Sequence, residues 1–317
     1  MKIVIGYDGS DCAAGAIADL RHAGLFGDTE AIVLGAADVF LPGGPEPGAE
    51  ELTTSHCVAE AVARARARAE QAVAEARDSA EQGAGKVRGM FPSWKVTAEA
   101  VADAPYWAFI QRAEESRADL IVVGSHGRSA LGRALLGSVS QHVLHNATCS
   151  VRVGRCANVS DAADRPVRVV LGIDGSPDSA TAASAVAARQ WPAGSEVRVV
   201  GVVDLRMSTM VPGLGPAAGW AMPAPPMEPT AEDLDSHLRR ALENVAAEVR
   251  RPGLTVTTTL LDGDPKRVLV EEAHAWNADC IFLGAKGHTR IQRMLIGSVS
   301  AAVAARAHCS VEVVRSG

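Results

Sequence analysis

Two stretches of this chain carry the same spaced set of small polar residues. Gly124-Ser-His-Gly127, nine residues, then Gly137-Ser138-Val-Ser140 returns as Gly284-Ala-Lys-Gly287, nine residues, then Gly297-Ser298-Val-Ser300, at a constant offset of 160 positions. An apolar run enters each copy, Ile121-Val122-Val123 and Ile281-Phe282-Leu283. A strand that ends in glycine, a loop, and a Gly-Ser that opens a helix together suit phosphate. Glycine lets backbone come close to an anion, and a helix N-terminus offers unpaired N–H groups and a favourable dipole. One such turn is often only a turn, but two in register point to a duplicated phosphate-binding module.

Candidate catalysts are scarce beside this. Neither loop ends in Gly-Lys-Ser/Thr, so neither is a Walker loop, and the spacing and late position exclude the dinucleotide fingerprint. His126 sits in the first loop, but Lys286 holds its place in the second, so a shared catalytic role is not expected and a solvated loop side chain is. Gly127-Arg-Ser129-Ala-Leu131 lacks the final glycine of a serine-hydrolase elbow. Arg128, Arg133 and Arg293 either balance phosphate charge or are exposed helix-face arginines.

The elements that must position these loops are duplicated as well. Ile3-Val-Ile-Gly6-Tyr-Asp8-Gly9-Ser10 reappears as Val169-Val-Leu-Gly172-Ile-Asp174-Gly175-Ser176, and Thr148-Cys-Ser-Val151-Arg-Val153 as His308-Cys-Ser-Val311-Glu-Val313. Pro105 and Pro265 each lie nineteen positions before the loop's first glycine. Asp8 and Asp174 are candidates either for the ligand or for bracing the turn at the first helix. Strands are expected at Lys2–Tyr7, Ala31–Val39, Lys95–Val101 and Ser150–Val153, with counterparts Glu196–Leu205, Thr255–Leu261 and Ser310–Val314 in the second half. Helices are expected from Ser10 to about Ala23, over Glu50–Gln82 and Ala231–Arg250, and from Pro105, Gly137, Pro265 and Gly297. Pro/Gly-rich insertions fall at Leu41–Gly48 and Met207–Pro229. This alternation implies α/β architecture: two tandem five-stranded, mostly parallel sheets with helices on both faces, ligands lying at the carboxyl ends of the strands. The division is 1–155 and 167–317 around a polar linker at 156–166. Units of about 150 residues are the usual size for a domain.

Composition sets limits. The net charge of −6 argues against nucleic acid as the main partner. No apolar run approaches the roughly 20 residues of a membrane span, and Met1-Lys2 leads directly into a strand instead of a signal peptide. The six cysteines show no CxxC, and Cys149, Cys280 and Cys309 fall in or beside apolar strands, so a cytoplasmic protein is expected.

Gly-x2-Gly-x9-Gly-Ser with an aspartate ending the first strand resembles the universal stress protein family in its tandem form, ATP-binding branch, across nearly the whole chain. The resemblance implies a Rossmann-like fold similar to the adenine-nucleotide α-hydrolases. It implies that Gly124, Gly127, Gly137 and Ser138 hold phosphates, that Asp8 contacts the ribose or adenine side, and that backbone near Ala36 reads the adenine edge. The matching positions in the second half are Gly284, Gly287, Gly297, Ser298, Asp174 and Val202. Ser140 and Ser300, just inside the final helices, are second phosphate donors in this scheme. The second half keeps Gly263-Asp264-Pro265 after its third strand; the first has Asp103-Ala104-Pro105, which sets a negative side chain at that pocket's rim. No carboxylate cluster dedicates a metal site, so Mg²⁺ would arrive with ATP. The expected function is ATP-dependent regulation or signalling in stress response through a protein partner, without fast chemistry. A slow ATPase and an interaction module with one or both pockets empty are the alternatives. The resemblance also implies that the final strands pair across two domains. Val151–Val153 and Val311–Val313, short and β-branched, can form that seam inside one chain as a pseudo-dimer that pairs again as a homodimer, although the sequence leaves a partner in cis or in trans open.

Overall fold

A computed structural model of the chain describes residues 1–25, 27–39, 56–127, 136–155, 165–204, 231–287 and 296–316. Both Pro/Gly-rich insertions, Arg128, Arg133, Arg293 and residues 156–164 lie outside the described residues.

Each half alternates strands and helices as the duplicated pattern requires. The first half runs β1 (Lys2–Gly6), α1 (Asp11–Asp19), β2 (Glu30–Ala37), α2 (His56–Met90), β3 (Lys95–Ala102), α3 (Pro105–Ser116), β4 (Leu120–Gly124), α4 (Ser138–Asn146) and β5 (Ser150–Gly154). The second runs β6 (Arg168–Gly172), α5 (Pro177–Ala188), β7 (Ser195–Val203), α6 (Ala231–Val249), β8 (Leu254–Asp262), α7 (Pro265–Ala275), β9 (Cys280–Gly284), α8 (Ser298–Arg306) and β10 (Ser310–Val314). Helix starts follow local chemistry. The Ser10 hydroxyl accepts from the Ala13 N–H at 3.2 Å, and the Ser176 hydroxyl from the Ser179 N–H at 3.2 Å, with Pro177 in the first turn.

The two five-stranded sheets are one. Strand order is β3-β2-β1-β4-β5-β10-β9-β6-β7-β8 in a single ten-stranded sheet. Pairing is parallel within each half and antiparallel only where β5 meets β10. Central strands such as Ile3–Ile5 and Leu120–Val123 are apolar without alternation because both sheet faces are covered. Helices α3, α4, α7 and α8 share one face over a core drawn from both halves, including Val151, Val153, Val311 and Val313. On the other face α1 and α2 cover the first half, and α5 and α6 the second. Each fully buried valine of the seam contributes roughly 1.5–3 kcal/mol.

Some boundaries move for physical reasons. Helix α1 stops at Asp19 and passes into a 3₁₀ turn over Leu20–His22. Helix α2 does not stop at Gln82 but continues through three glycines to Met90. Gly83 is used for close packing: a Cβ there would lie 2.9 Å from the Tyr7 ring. Gly35 on β2 does the same from the other side, where a Cβ would come within 2.2 Å of the Ala76 carbonyl oxygen. The helix is held by contact with the sheet, which outweighs glycine's weak helical preference.

Candidate functional site

The carboxyl ends of β6, β7 and β9 open into a cavity of about 410 Å³. Asp174, Val202, Gly284, Gly287, Gly297, Ser298 and Ser300 all line it. The seven second-half positions that the resemblance assigns to the nucleotide are therefore brought to one place. The volume falls in the ordinary range for a small-molecule pocket. Val202 and Leu269 supply apolar wall, while Asp204, Lys266 and Lys286 supply charge.

The loops are closed in the same way in both halves. The Gly137 N–H donates to the Ser125 carbonyl at 2.8 Å, and the Gly297 N–H to the Ala285 carbonyl at 2.6 Å. Those two amides are thereby committed to the loop and withdrawn from any phosphate. Gly137 and Gly297 act instead as extended N-caps, and the N–H groups of 138–140 and 298–300 come before the first intrahelical bonds, Gln141 to Gly137 and Ala301 to Gly297. The bareness of these glycines matters too. A Cβ on Gly137 would lie 3.3 Å from the Ser125 carbonyl oxygen, and one on Gly297 3.2 Å from the Ala285 carbonyl oxygen, pressing on the loop that each glycine closes.

Gly124 and Gly284 have a different reason to be glycine. A Cβ on Gly124 would meet the Cys12 backbone at 2.9 Å, and one on Gly284 the Asp178 backbone at 2.4 Å. Their missing side chains let the first helix of each half approach the sheet, so they set the pocket floor indirectly. Ser140 and Ser300 also need correction. The Ser140 hydroxyl is buried and donates to the Gly124 carbonyl at 2.5 Å, and Ser300 donates to the Gly284 carbonyl at 2.7 Å. A hydroxyl has one hydrogen to give, so these side chains brace helix against loop; only their backbone N–H groups remain for an anion. Ser138 and Ser298 stay exposed at the helix openings.

The first-strand aspartates brace the turn with one carboxylate oxygen and turn the other toward the glycine loop. Asp8 Oδ1 accepts from the Ser10 N–H at 3.0 Å and Asp174 Oδ1 from the Ser176 N–H at 2.9 Å, bracing the turn. The other oxygen faces the loop. A Cβ on Gly127 would lie 3.2 Å from Asp8 Oδ2, and one on Gly287 2.7 Å from Asp174 Oδ2. Beneath Asp8, burial raises the Tyr7 phenol pKa, with Asp8 and Asp11 adding to the effect, so Tyr7 is neutral there.

In the first half Ala36 is partly buried against the shared core with Val101, Tyr106 and Val139, matching the placement of Val202. His126 is not a solvated side chain. It is half-buried, its Nδ1 lies 3.1 Å from the Ser125 hydroxyl, and its Nε2 is enclosed. Cys280 and Cys309 are buried thiols, as expected, and burial pushes Cys309 up to about 12 and Cys149 up to about 11. Among the described residues no group of three or more His, Cys, Asp or Glu is placed to hold a metal ion, and no helix is long and apolar enough to cross a membrane.

Sequence reasoning missed Asp204 and Lys266 as lining residues. Asp204 had a signal, since it lies two positions after Val202 as Asp38 does after Ala36. Lys266 had none, because Tyr106 replaces it in the first half.

The model of the universal stress protein family matches residues 1–155 and again 167–315. A universal stress protein of Mycolicibacterium smegmatis is 36% identical over 200 residues, 62% of this chain and 62% of its own length. One from Mycobacterium tuberculosis is 29% identical over 220 residues, 69% of each chain. The crystal structure of a universal stress protein from Archaeoglobus fulgidus superposes with a TM-score of 0.60 at 20% identity, covering 100% of this chain and 98% of that one. At that identity the likeness speaks for the fold alone.

Proposed function

The chain belongs to the universal stress protein family, and from that premise we propose that it is an ATP-binding regulatory protein. The observation that carries this reading is the convergence of seven sequence-selected residues on one cavity of about 410 Å³. The residues fit the nucleotide chemically. The N–H groups of Gly287, Ser298, Val299 and Ser300 and the Ser298 hydroxyl would hold phosphate oxygens, with Lys266 and Lys286 offsetting their charge. Asp174 would accept from ribose hydroxyls, and backbone near Val202 would meet the base against an apolar wall. The first half would use Gly127, Ser138, Asp8 and Ala36 in the same roles. Mg²⁺ would be carried in on the phosphates, where it neutralises charge.

In this reading binding, not cleavage, is the function. His126 and Lys286 differ at the same loop position, so among the described residues the copies share holding groups and no general base at that place. Occupancy then biases conformation and the choice of a regulatory protein partner in the cytoplasm, by differential affinity for the two states. Pairing of tandem chains into a homodimer would use a surface other than β5 and β10, which are already paired to each other.

Isothermal calorimetry with MgATP tests the reading. Saturable binding is expected, weakened by about a hundredfold or more when Gly287 is changed to leucine, because the side chain would meet Asp174. No binding at saturating ATP, or wild-type affinity with wild-type stoichiometry in that variant, would overturn it. ADP release at the buffer rate is expected; release above buffer that Ser298→Ala abolishes would replace regulation with slow hydrolysis.

A further inference from the structure

Strands β5 and β10 cross about a centre where Arg152 stands opposite Glu312, flanked by Val151 opposite Val313 and Val153 opposite Val311. Most contacts around this centre are made twice, by equivalent residues of the two halves. The Arg155 N–H donates to the Ser310 hydroxyl at 3.0 Å, and the Arg315 N–H to the Ser150 hydroxyl at 3.2 Å. The Arg155 guanidinium reaches the Ala304 carbonyl at 2.8 Å, and that of Arg315 the Leu144 carbonyl at 2.6 Å. The four valines turn to one common core. None of these contacts distinguishes one edge from the other. A β5–β5 or β10–β10 pairing between two copies of the chain would reproduce them all.

The centre is the exception. Arg152 has no exposed surface; it donates from Nε to Asp19 Oδ2 at 2.7 Å and from Nη1 to Glu312 Oε2 at 3.1 Å. Glu312, equally buried, also accepts from Arg189, whose guanidinium donates to the Ala23 carbonyl at 2.7 Å and lies 5.7 Å from the centre of the Phe282 ring. Asp19, Arg152, Glu312 and Arg189 thus alternate in sign across the seam, two from each half. The duplication places Ala185 where Asp19 would recur and Ala23 where Arg189 would. The quartet is therefore no product of the repeat's own symmetry.

Homotypic pairing would destroy the alternation. Two β5 edges would set Arg152 against Arg152, and two β10 edges Glu312 against Glu312, in a buried site where water cannot screen them. We infer that the quartet is a pairing code by which β5 accepts β10 and rejects a second β5. The halves then close on each other within one chain instead of linking chains into open arrays. A tether raises the local concentration of the right edge but puts no penalty on the wrong one. The quartet supplies that penalty, at the only position of the seam where the two edges differ in charge.

Charge reversal by halves tests this. Asp19→Arg with Arg152→Glu reverses the first half, and Glu312→Arg with Arg189→Glu reverses the second; each pair keeps its internal ion pair but sets like charges at the centre. Each double variant alone is expected to lose the compact monomer in size-exclusion with light scattering. Refolded together in equal amounts, the two should form a two-chain complex, by native mass spectrometry about a hundredfold above what either forms alone. The fourfold variant, in which signs alternate again, should return to a compact monomer. The inference is overturned if both double variants stay compact with the wild-type melting midpoint. It is equally overturned if the mixture forms no complex, or if the fourfold variant is no more monomeric than the doubles, since the loss would then be local damage.

Discussion

The strand ends that carry the two glycine loops share a backbone and differ in charge. In both halves the residue after the third strand donates its N–H to the second strand, Asp103 to the Ala37 carbonyl and Gly263 to the Val203 carbonyl, each at 3.0 Å. From that common point they part. Gly263 takes φ +132, a backbone open to glycine, and Asp264 then caps α7 by accepting from the Lys266 N–H at 3.0 Å. In the first half the carboxylate sits one residue earlier: Asp103 accepts from the Ala104 N–H at 2.7 Å, and Ala104 at the cap offers no side-chain bond. Tyr106 stands where Lys266 does and lies against the His142 ring at 4.9 Å, and His126 stands where Lys286 does. Three aspartates recur in each set, Asp8, Asp38 and Asp103 against Asp174, Asp204 and Asp264, but only the second has lysines to offset them. Among the described residues a duplicated geometry has thus acquired lysines in one copy and an aromatic pair in the other.

The comparison can be broken most sharply at the loops. Gly297→Leu should abolish binding in the second pocket and halve the ATP stoichiometry measured by calorimetry, or remove it if the first pocket is empty; unchanged stoichiometry would show that the cavity is not the site. Next in size, Lys266→Ala should weaken ATP more than adenosine, by about tenfold, while Tyr106→Lys should strengthen ATP in the first pocket; equal effects on both ligands would deny that charge separates the pockets. Helix capping should show a smaller effect. Asp264→Ala removes a cap worth about 1 kcal/mol, so the chemical-denaturation midpoint should drop, while Ala104→Asp should recover part of that amount in the first half. A midpoint unmoved by Asp264→Ala would mean that α7 does not depend on its cap.

Smallest and most local is a pH effect confined to the first half. His22 is buried, its Nε2 has no partner among the described residues, and Ala188 stands at the equivalent place in the second half. Burial holds its imidazole below the ordinary value of 6.5; Arg165 and Arg152 reinforce the shift and Asp19 and Asp279 oppose it. The unfolded chain therefore binds the proton first on acidification. The stability held by neutral His22 is complete above pH 6.5 and is lost as pH falls from there toward the lowered folded value. Denaturation of the wild type at pH 7.5 and 5.5 should show the loss, and His22→Leu should shrink it; an equal pH dependence in both proteins would assign the effect elsewhere.

Much of this was legible in the chain because duplication repeats a signal. Matching strands, the aspartates and the spaced glycines located the pocket before any coordinates, since backbone chemistry of this kind leaves its trace in residue type. Roles were less legible than positions. Gly124 and Gly137 read as phosphate contacts, yet one exists for helix packing and the other spends its amide on closing the loop. Ser140 and Ser300 read as donors, yet their hydroxyls face inward. Burial and hydrogen-bond partners decide such matters, and both depend on residues far away along the sequence.

The amino-acid sequence by itself determined the two α/β units, their glycine loops and the strand ends that gather them, because periodicity and glycine placement act over short range. The tertiary structure decided that the seam expected between the final strands closes within one chain and makes two sheets one. It showed that Arg152 meets Glu312 at the seam and that Lys266 and Lys286 line one cavity. These are pairings between distant residues, and no local pattern announces which charge will be buried opposite which.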